Sequence, residues 1–174
     1  DEPFGDSSQI PTFLVSQLAR RHVTVSLSGD GGDELFGGYN RYFHIDALWR
    51  RLRAAPAPLR AVASRVLRAG SKFLPGRLAA KVARRAARLD IASPGEMYCR
   101  HHVHWPEPAD VVVGGQTAEC IMSRPERWPA ALSHLEQWMF VDTLAYLPDD
   151  ILVKVDRASM AVALEARVPL VDHR

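Results

Sequence analysis

At 174 residues with 47% hydrophobic side chains, the chain can bury one core, and its formal net charge of +2 makes no global case for nucleic acid or a membrane as partner. Two cysteines, Cys99 and Cys120, are too few for a disulfide scaffold and read as reduced thiols of a cytoplasmic protein. No apolar run approaches the length of a membrane span, and no stretch reads as a signal peptide.

From Ile10 to Arg21, apolar residues at helical spacing (Ile10, Phe13, Leu14, Leu18), with Pro11 near the first turn, predict a helix. Val23, Val25 and Leu27 then alternate with Thr24 and Ser26, which predicts a strand over 22–27. A glycine-rich turn with three acids follows, Ser28-Gly29-Asp30-Gly31-Gly32-Asp33-Glu34, and leads into a helix expected from Asp33 to about Leu48. Glycines let the backbone approach a ligand closely, and the following helix start would offer N–H groups to phosphate. Carboxylates on the same turn suit Mg²⁺, which takes one or two carboxylates plus phosphate oxygens. The turn is neither a P-loop nor a dinucleotide fingerprint, a Gly-x-Ser-x-Gly elbow or a calcium loop. It predicts a metal–nucleotide site; the plainer alternative is a strand-to-helix turn capped by Asp33.

Residues 47–89 hold no acid and a dozen Arg or Lys, with Pro56, Pro58, Gly70, Pro75 and Gly76 dividing two or three short helices. The plain reading is a solvated amphipathic helix pair; no aromatic interleaving suggests base stacking. His101, His102 and His104 beside Cys99 lack a second ligand pair at zinc spacing and read as surface histidines. Residues 106–130 are rich in Pro and Gly and predict loops and short helices. Leu132 to Leu147 carries Leu132, Leu135, Met139, Phe140, Leu144 and Leu147 at core-facing helical spacing. Pro148-Asp149-Asp150 is expected to end that helix and start another, with an Asp as cap. In this second helix Lys154 and Arg157 share a face. Such a pair is solvated charge or a cradle for leaving pyrophosphate.

Ser28 to Tyr39, SGDGGDELFGGY, resembles the signature of the glutamine-hydrolysing asparagine synthetases. A second block agrees: Tyr146 to Met160, running on through Glu165-Ala166-Arg167-Val168-Pro169 to Val171-Asp172-His173-Arg174. The opening Asp1-Glu2-Pro3-Phe4-Gly5-Asp6-Ser7-Ser8 is also similar. The resemblance implies an α/β fold, part of a parallel-sheet ATP-pyrophosphatase (adenine nucleotide alpha-hydrolase-like) domain. Residues 1–174 would form a partial synthetase domain, mostly helical with one clear strand. It implies a ligase that uses ATP and Mg²⁺ to convert aspartate through β-aspartyl-AMP, with ammonia derived from glutamine elsewhere in the protein. By position, Ser28, Gly29 and Tyr39 would bind ATP, Asp33 and Glu34 would face the metal, and Asp30, Arg157 and Lys154 would be catalytic. No nucleic-acid or membrane partner is implied; a homodimer is left open.

Two departures bear on this transfer. Asp30 stands where many members have Glu and reaches about 1.5 Å less. Arg157 stands where some members have Lys; it keeps the charge but cannot act as a base. The family's Ser-Gly-Gly-x-Asp-Ser pyrophosphate loop and its glutaminase cysteine do not occur in the chain, which reads as an excerpt of a longer protein, inactive alone and marginally stable without its missing strands. Two other readings stay open: a related amidotransferase or β-lactam-type synthetase acting on another carboxylate, and a non-catalytic module on a decayed synthetase fold.

Overall fold

The computed structural model describes residues 5–103, 111–116 and 119–172. In chain order the elements are α1 (Gln9–Arg20), β1 (Val25–Leu27), α2 (Gly32–Phe36), α3 (Asn40–Arg53), α4 (Ala57–Ser71), α5 (Gly76–Leu89), α6 (Pro94–His102), α7 (His134–Val141), α8 (Val153–Met160) and β2 (Glu165–Arg167). A π-helical stretch, Asp142–Leu152, joins α7 to α8, and short 3₁₀ turns occupy Pro125–Arg127 and Pro169–Val171. The chain divides into two compact units, Asp1–Tyr39 with Cys120–Arg174, and Asn40–Glu119. A mostly helical chain with a small parallel sheet agrees with an α/β domain. No described helix is long and apolar enough to cross a membrane.

In the first unit β1 and β2 pair in parallel, with Val25 opposite Glu165, Ser26 opposite Ala166 and Leu27 opposite Arg167. The ladder extends through Glu165 N to Thr24 O at 3.0 Å and Ser28 N to Arg167 O at 2.8 Å. The expected strand over 22–27 is therefore shorter, ending where its partner ends, and it is not alone. Glu165-Ala166-Arg167 has no apolar alternation, so only its pairing marks it as a strand. Helix α1 forms where expected but turns the other way. Ile10, Leu14 and Leu18 are exposed, while Ser16 is buried and α1 packs on α8.

Two predicted helix boundaries move. The helix expected from Asp33 to Leu48 breaks at Gly37, whose φ of +70° forms a left-handed C-cap. The N–H groups of Gly37 and Gly38 both return to Asp33 O, and α3 starts afresh at Asn40. At Pro148 the expected break does not occur. Proline lacks an N–H and crowds the preceding turn, and the helix accommodates it by widening into the π stretch rather than stopping. Neither Asp149 nor Asp150 caps a new helix, for Leu152 at the start of α8 follows helical residues and makes no side-chain cap bond. The core here comprises Trp138, Val141, Leu147, Ile151, Val155, Ala158 and Leu164. At the start of α7, Ser133 and Glu136 form a reciprocal capping box.

In the second unit the basic segment forms two helices, α4 and α5, packed as a hairpin. The buried Arg60 donates to Ile91 O at 2.9 Å, and Ser64 Oγ to Ala86 O at 3.1 Å. Tyr42 of α3 stacks on Tyr98 of α6, with ring centroids 6.2 Å apart. His101 and His102 close α6, where His102 Nδ1 lies 3.0 Å from Tyr98 O; His104 lies outside the described residues. Cys99 is half-buried and Cys120 exposed, and neither forms a disulfide.

Candidate active site

The chemistry-bearing residues of the first unit collect where β1 ends. Strand pairing delivers Ser28 to the sheet's carboxyl end, where α/β sheets bind ligands. From there the chain must reverse into α2 within a few residues. Gly31 does this with φ +85° at the N-cap of α2, and a Cβ there would lie 2.7 Å from Val171 Cγ1. At Gly38 a Cβ would fall 2.0 Å from Asp33 Oδ1, because the Asp33 carboxylate folds back over that backbone, so a side chain there would have to displace that carboxylate.

A cavity of about 320 Å³ opens at this turn. It is lined by Gly29, Asp30, Gly31, Asp33, Glu34 and Tyr39 from the signature, by Asp6 and Ser8 from the entry to α1, and by Tyr146, Ile151 and Lys154 from the helix beyond. Of the residues nominated from sequence, Gly29, Asp30, Asp33, Glu34, Tyr39 and Lys154 meet here. Ser28 Oγ donates to Asp30 Oδ2, drawing that shorter carboxylate back onto its own turn. Glu34 is buried and accepts from Tyr39 Oη at 2.6 Å, while the Tyr39 ring meets Tyr146 edge-on at 6.1 Å. A second cavity, about 430 Å³, lies between α1, β1 and α8; Ser28, Asp30 and Lys154 line it too. Asp30 and Lys154 thus stand where the two meet. Arg157, one turn further along α8, is half-buried and lines neither cavity.

The electrostatics are lopsided. Among the described residues, four acids line the smaller cavity, Asp6, Asp30, Asp33 and Glu34, against one cation, Lys154. Helix α2 has only five residues, too few for the N-terminal dipole that the sequence suggested as a phosphate anchor. Lys154 is 9% exposed, and its Nζ lies 3.2 Å from Asp6 Oδ2. Burial alone would raise the Asp6 carboxyl, but hydrogen bonds from Ser8 and the nearby ammonium outweigh it and hold the group below its ordinary value. Asp150 moves the other way: burial first, then the Asp6 charge, push it up against the pull of Lys154. Among the described residues no three His, Cys, Asp or Glu side chains converge to hold a metal by themselves. Mg²⁺ takes one or two carboxylates completed by phosphate oxygens; Asp33 and Glu34 both line this cavity, Glu34 with one oxygen already accepting from Tyr39.

Sequence reasoning did not nominate Asp6, Ser8, Tyr146 or Asp150. All four lie inside the three stretches that carried the resemblance, which was the one signal that could have found them.

The family model described as asparagine synthase matches residues 1–174. A putative asparagine synthetase [glutamine-hydrolyzing] 2 of Methanocaldococcus jannaschii is 37% identical over 166 residues, 92% of this chain and 30% of that protein. A putative asparagine synthetase [glutamine-hydrolyzing] of Mycobacterium bovis is 33% identical over 99% of this chain and 26% of its own length. Asparagine synthetase [glutamine-hydrolyzing] 1 of Bacillus subtilis is 30% identical, again over 99% of this chain and 27% of its own length. The chain thus spans under a third of the curated relatives it matches, and no solved structure matches it.

Proposed function

Because the chain belongs to the asparagine synthase family, we propose that it carries part of the active site of an ATP-dependent carbon–nitrogen ligase that makes asparagine from aspartate and ammonia. In this reading the aspartate side-chain carboxylate displaces pyrophosphate from the α-phosphorus of ATP, giving β-aspartyl-AMP. Ammonia derived from glutamine then displaces AMP.

One observation carries the nucleotide part of the reading: an acid-rich cavity with a single lysine, built on a glycine turn at the end of a parallel strand. Bare polyphosphate would be repelled by four carboxylates, whereas a metal–polyphosphate complex is matched by them. Bound Mg²⁺ would neutralise phosphate charge and help the pyrophosphate leave, and Asp33 and Glu34 would hold it. Gly29 admits the nucleotide by lacking a side chain, and Ser28 and Tyr39 orient it. Asp30, at the junction of the two cavities, faces the reacting carboxylate. Lys154 meets the charge that develops on pyrophosphate, a role fit for an ammonium held in a water-poor site.

The test is pyrophosphate release by the full-length protein with ATP, Mg²⁺, aspartate and ammonia, comparing the wild type with Asp33→Asn. Aspartate-dependent release that falls at least 100-fold in the variant is expected. Release that ignores aspartate would move the assignment to another carboxylate acceptor, to be found with a panel of acids. No release with any acid would favour a non-catalytic module.

A further inference from the structure

The lysine at the junction of the two cavities is not held by its own helix. Lys154 sits on the buried side of α8 beside Val155, Ala158 and Ser159, with a long flexible stem. Its ammonium is met by a residue 148 positions earlier in the chain, Asp6, at 3.2 Å. Asp6 in turn is fixed by the turn that opens α1. Its Oδ1 accepts from Ser8 N at 2.8 Å, its Oδ2 from Ser8 Oγ at 2.6 Å, and its carbonyl from Gln9 N at 3.2 Å. Thr12 Oγ1 donates to Ser8 O at 2.9 Å and ties the turn to the helix. Because α1 packs on α8, a hydrogen-bonded turn at the mouth of one helix reaches a long side chain on the other.

We propose that Asp6 is a positioning residue, which holds the Lys154 ammonium at the junction of the two cavities and so aims the cation that receives the polyphosphate. This rests on the ATP-consuming reading above. A strap made only for stability is a poor explanation, because the side chains of Lys154 and Asp6 are just 11% and 18% exposed. Desolvation of so sheltered a pair roughly cancels its attraction, so the gain lies in where the ammonium is held. The surroundings give such aiming a purpose: Asp30 lines the same two cavities as Lys154, and of the acids around them Asp6 is the one that the ammonium meets.

The experiment is a double-mutant cycle in the full-length protein with Asp6→Asn, Lys154→Ala and the pair, read by calorimetric binding of Mg²⁺·pyrophosphate and by ATP–pyrophosphate exchange. Asparagine keeps the acceptor for Ser8 N–H, so the turn survives while the charge is lost. Asp6→Asn should weaken pyrophosphate binding about 10-fold in the wild-type background and less than 2-fold on Lys154→Ala. Asp6→Glu keeps the charge but reaches about 1.5 Å further and gives up the Ser8 turn, so it should recover only part of the loss. Ser8→Ala, which frees one lone pair of Asp6 without removing charge, should give a smaller loss in the same direction and serves if Asp6→Asn fails to fold. Losses that simply add across the cycle, with exchange intact in the wild type, would overturn the proposal and leave the ligase reading standing. Pyrophosphate binding with full coupling but no exchange with any carboxylate would sink the ligase reading and keep the strap. A wild type that binds no pyrophosphate overturns both.

Discussion

Replacing Gly31 with alanine should cost the protein about 2–4 kcal/mol, in two separable parts. Gly31 sits at φ +85°, and a Cβ in the left-handed region costs about 1–2 kcal/mol. The same Cβ would stand 2.7 Å from Val171 Cγ1, closer than carbon atoms pack, with Leu147 Cδ2 at an ordinary 3.7 Å. Val171 is a stiff side chain on the short 3₁₀ turn after β2, so relief requires that turn or the signature turn to shift, at roughly 1–2 kcal/mol. The assay is urea unfolding of the full-length protein carrying Gly31→Ala, Val171→Ala, or both. Val171→Ala at a 37% exposed position should cost little by itself, and in the double variant it should return the steric part while the conformational part persists. A Gly31→Ala cost below about 0.5 kcal/mol, or a double variant no better than the single, would refute the argument that φ and this contact together demand glycine.

Two further predictions follow from the same geometry. Tyr39→Phe removes the phenolic donor from the buried Glu34 and should destabilise the first unit by about 1–3 kcal/mol, measured by urea unfolding, with an unchanged midpoint refuting it. In the second unit, desolvation by neighbouring groups and then the positive charges of Arg41, Arg88 and His44 hold the exposed His101 below the ordinary imidazole value of 6.5. A depressed folded-state value means that the contribution is present above pH 6.5 and is lost as pH falls through the folded-state value. Stability should therefore decline from pH 7 towards pH 5, and His101→Gln should flatten that slope in unfolding curves taken across the range.

What could be read from the chain was what a few neighbouring residues settle among themselves. Ser28 to Tyr39 advertised a close-approach turn with acids because glycine and aspartate act through backbone freedom and charge that need no partner. Helices α1, α4, α5 and α7 were legible for the same reason, since a helix closes its own hydrogen bonds over four residues. The misreadings share the opposite cause. Strand β2 has no pattern of its own and exists through its pairing with β1. The outward apolar face of α1 depends on how that helix meets α8, with Ser16 turned inward, which no residue of α1 decides alone. Pro148 stops a lone helix, yet here the turns on either side are held by packed residues, Leu147 and Ile151 among them, and the coil widens instead. From spacing alone Lys154 and Arg157 read evenly as solvated charge or as a pyrophosphate cradle, and the resemblance put Arg157, not Lys154, where some members have Lys. In the fold Lys154 lines the cavity and Arg157 does not, and Asp6 reaches Lys154 from a turn 148 residues away, a meeting that depends on the packing of two helices and on nothing local to either.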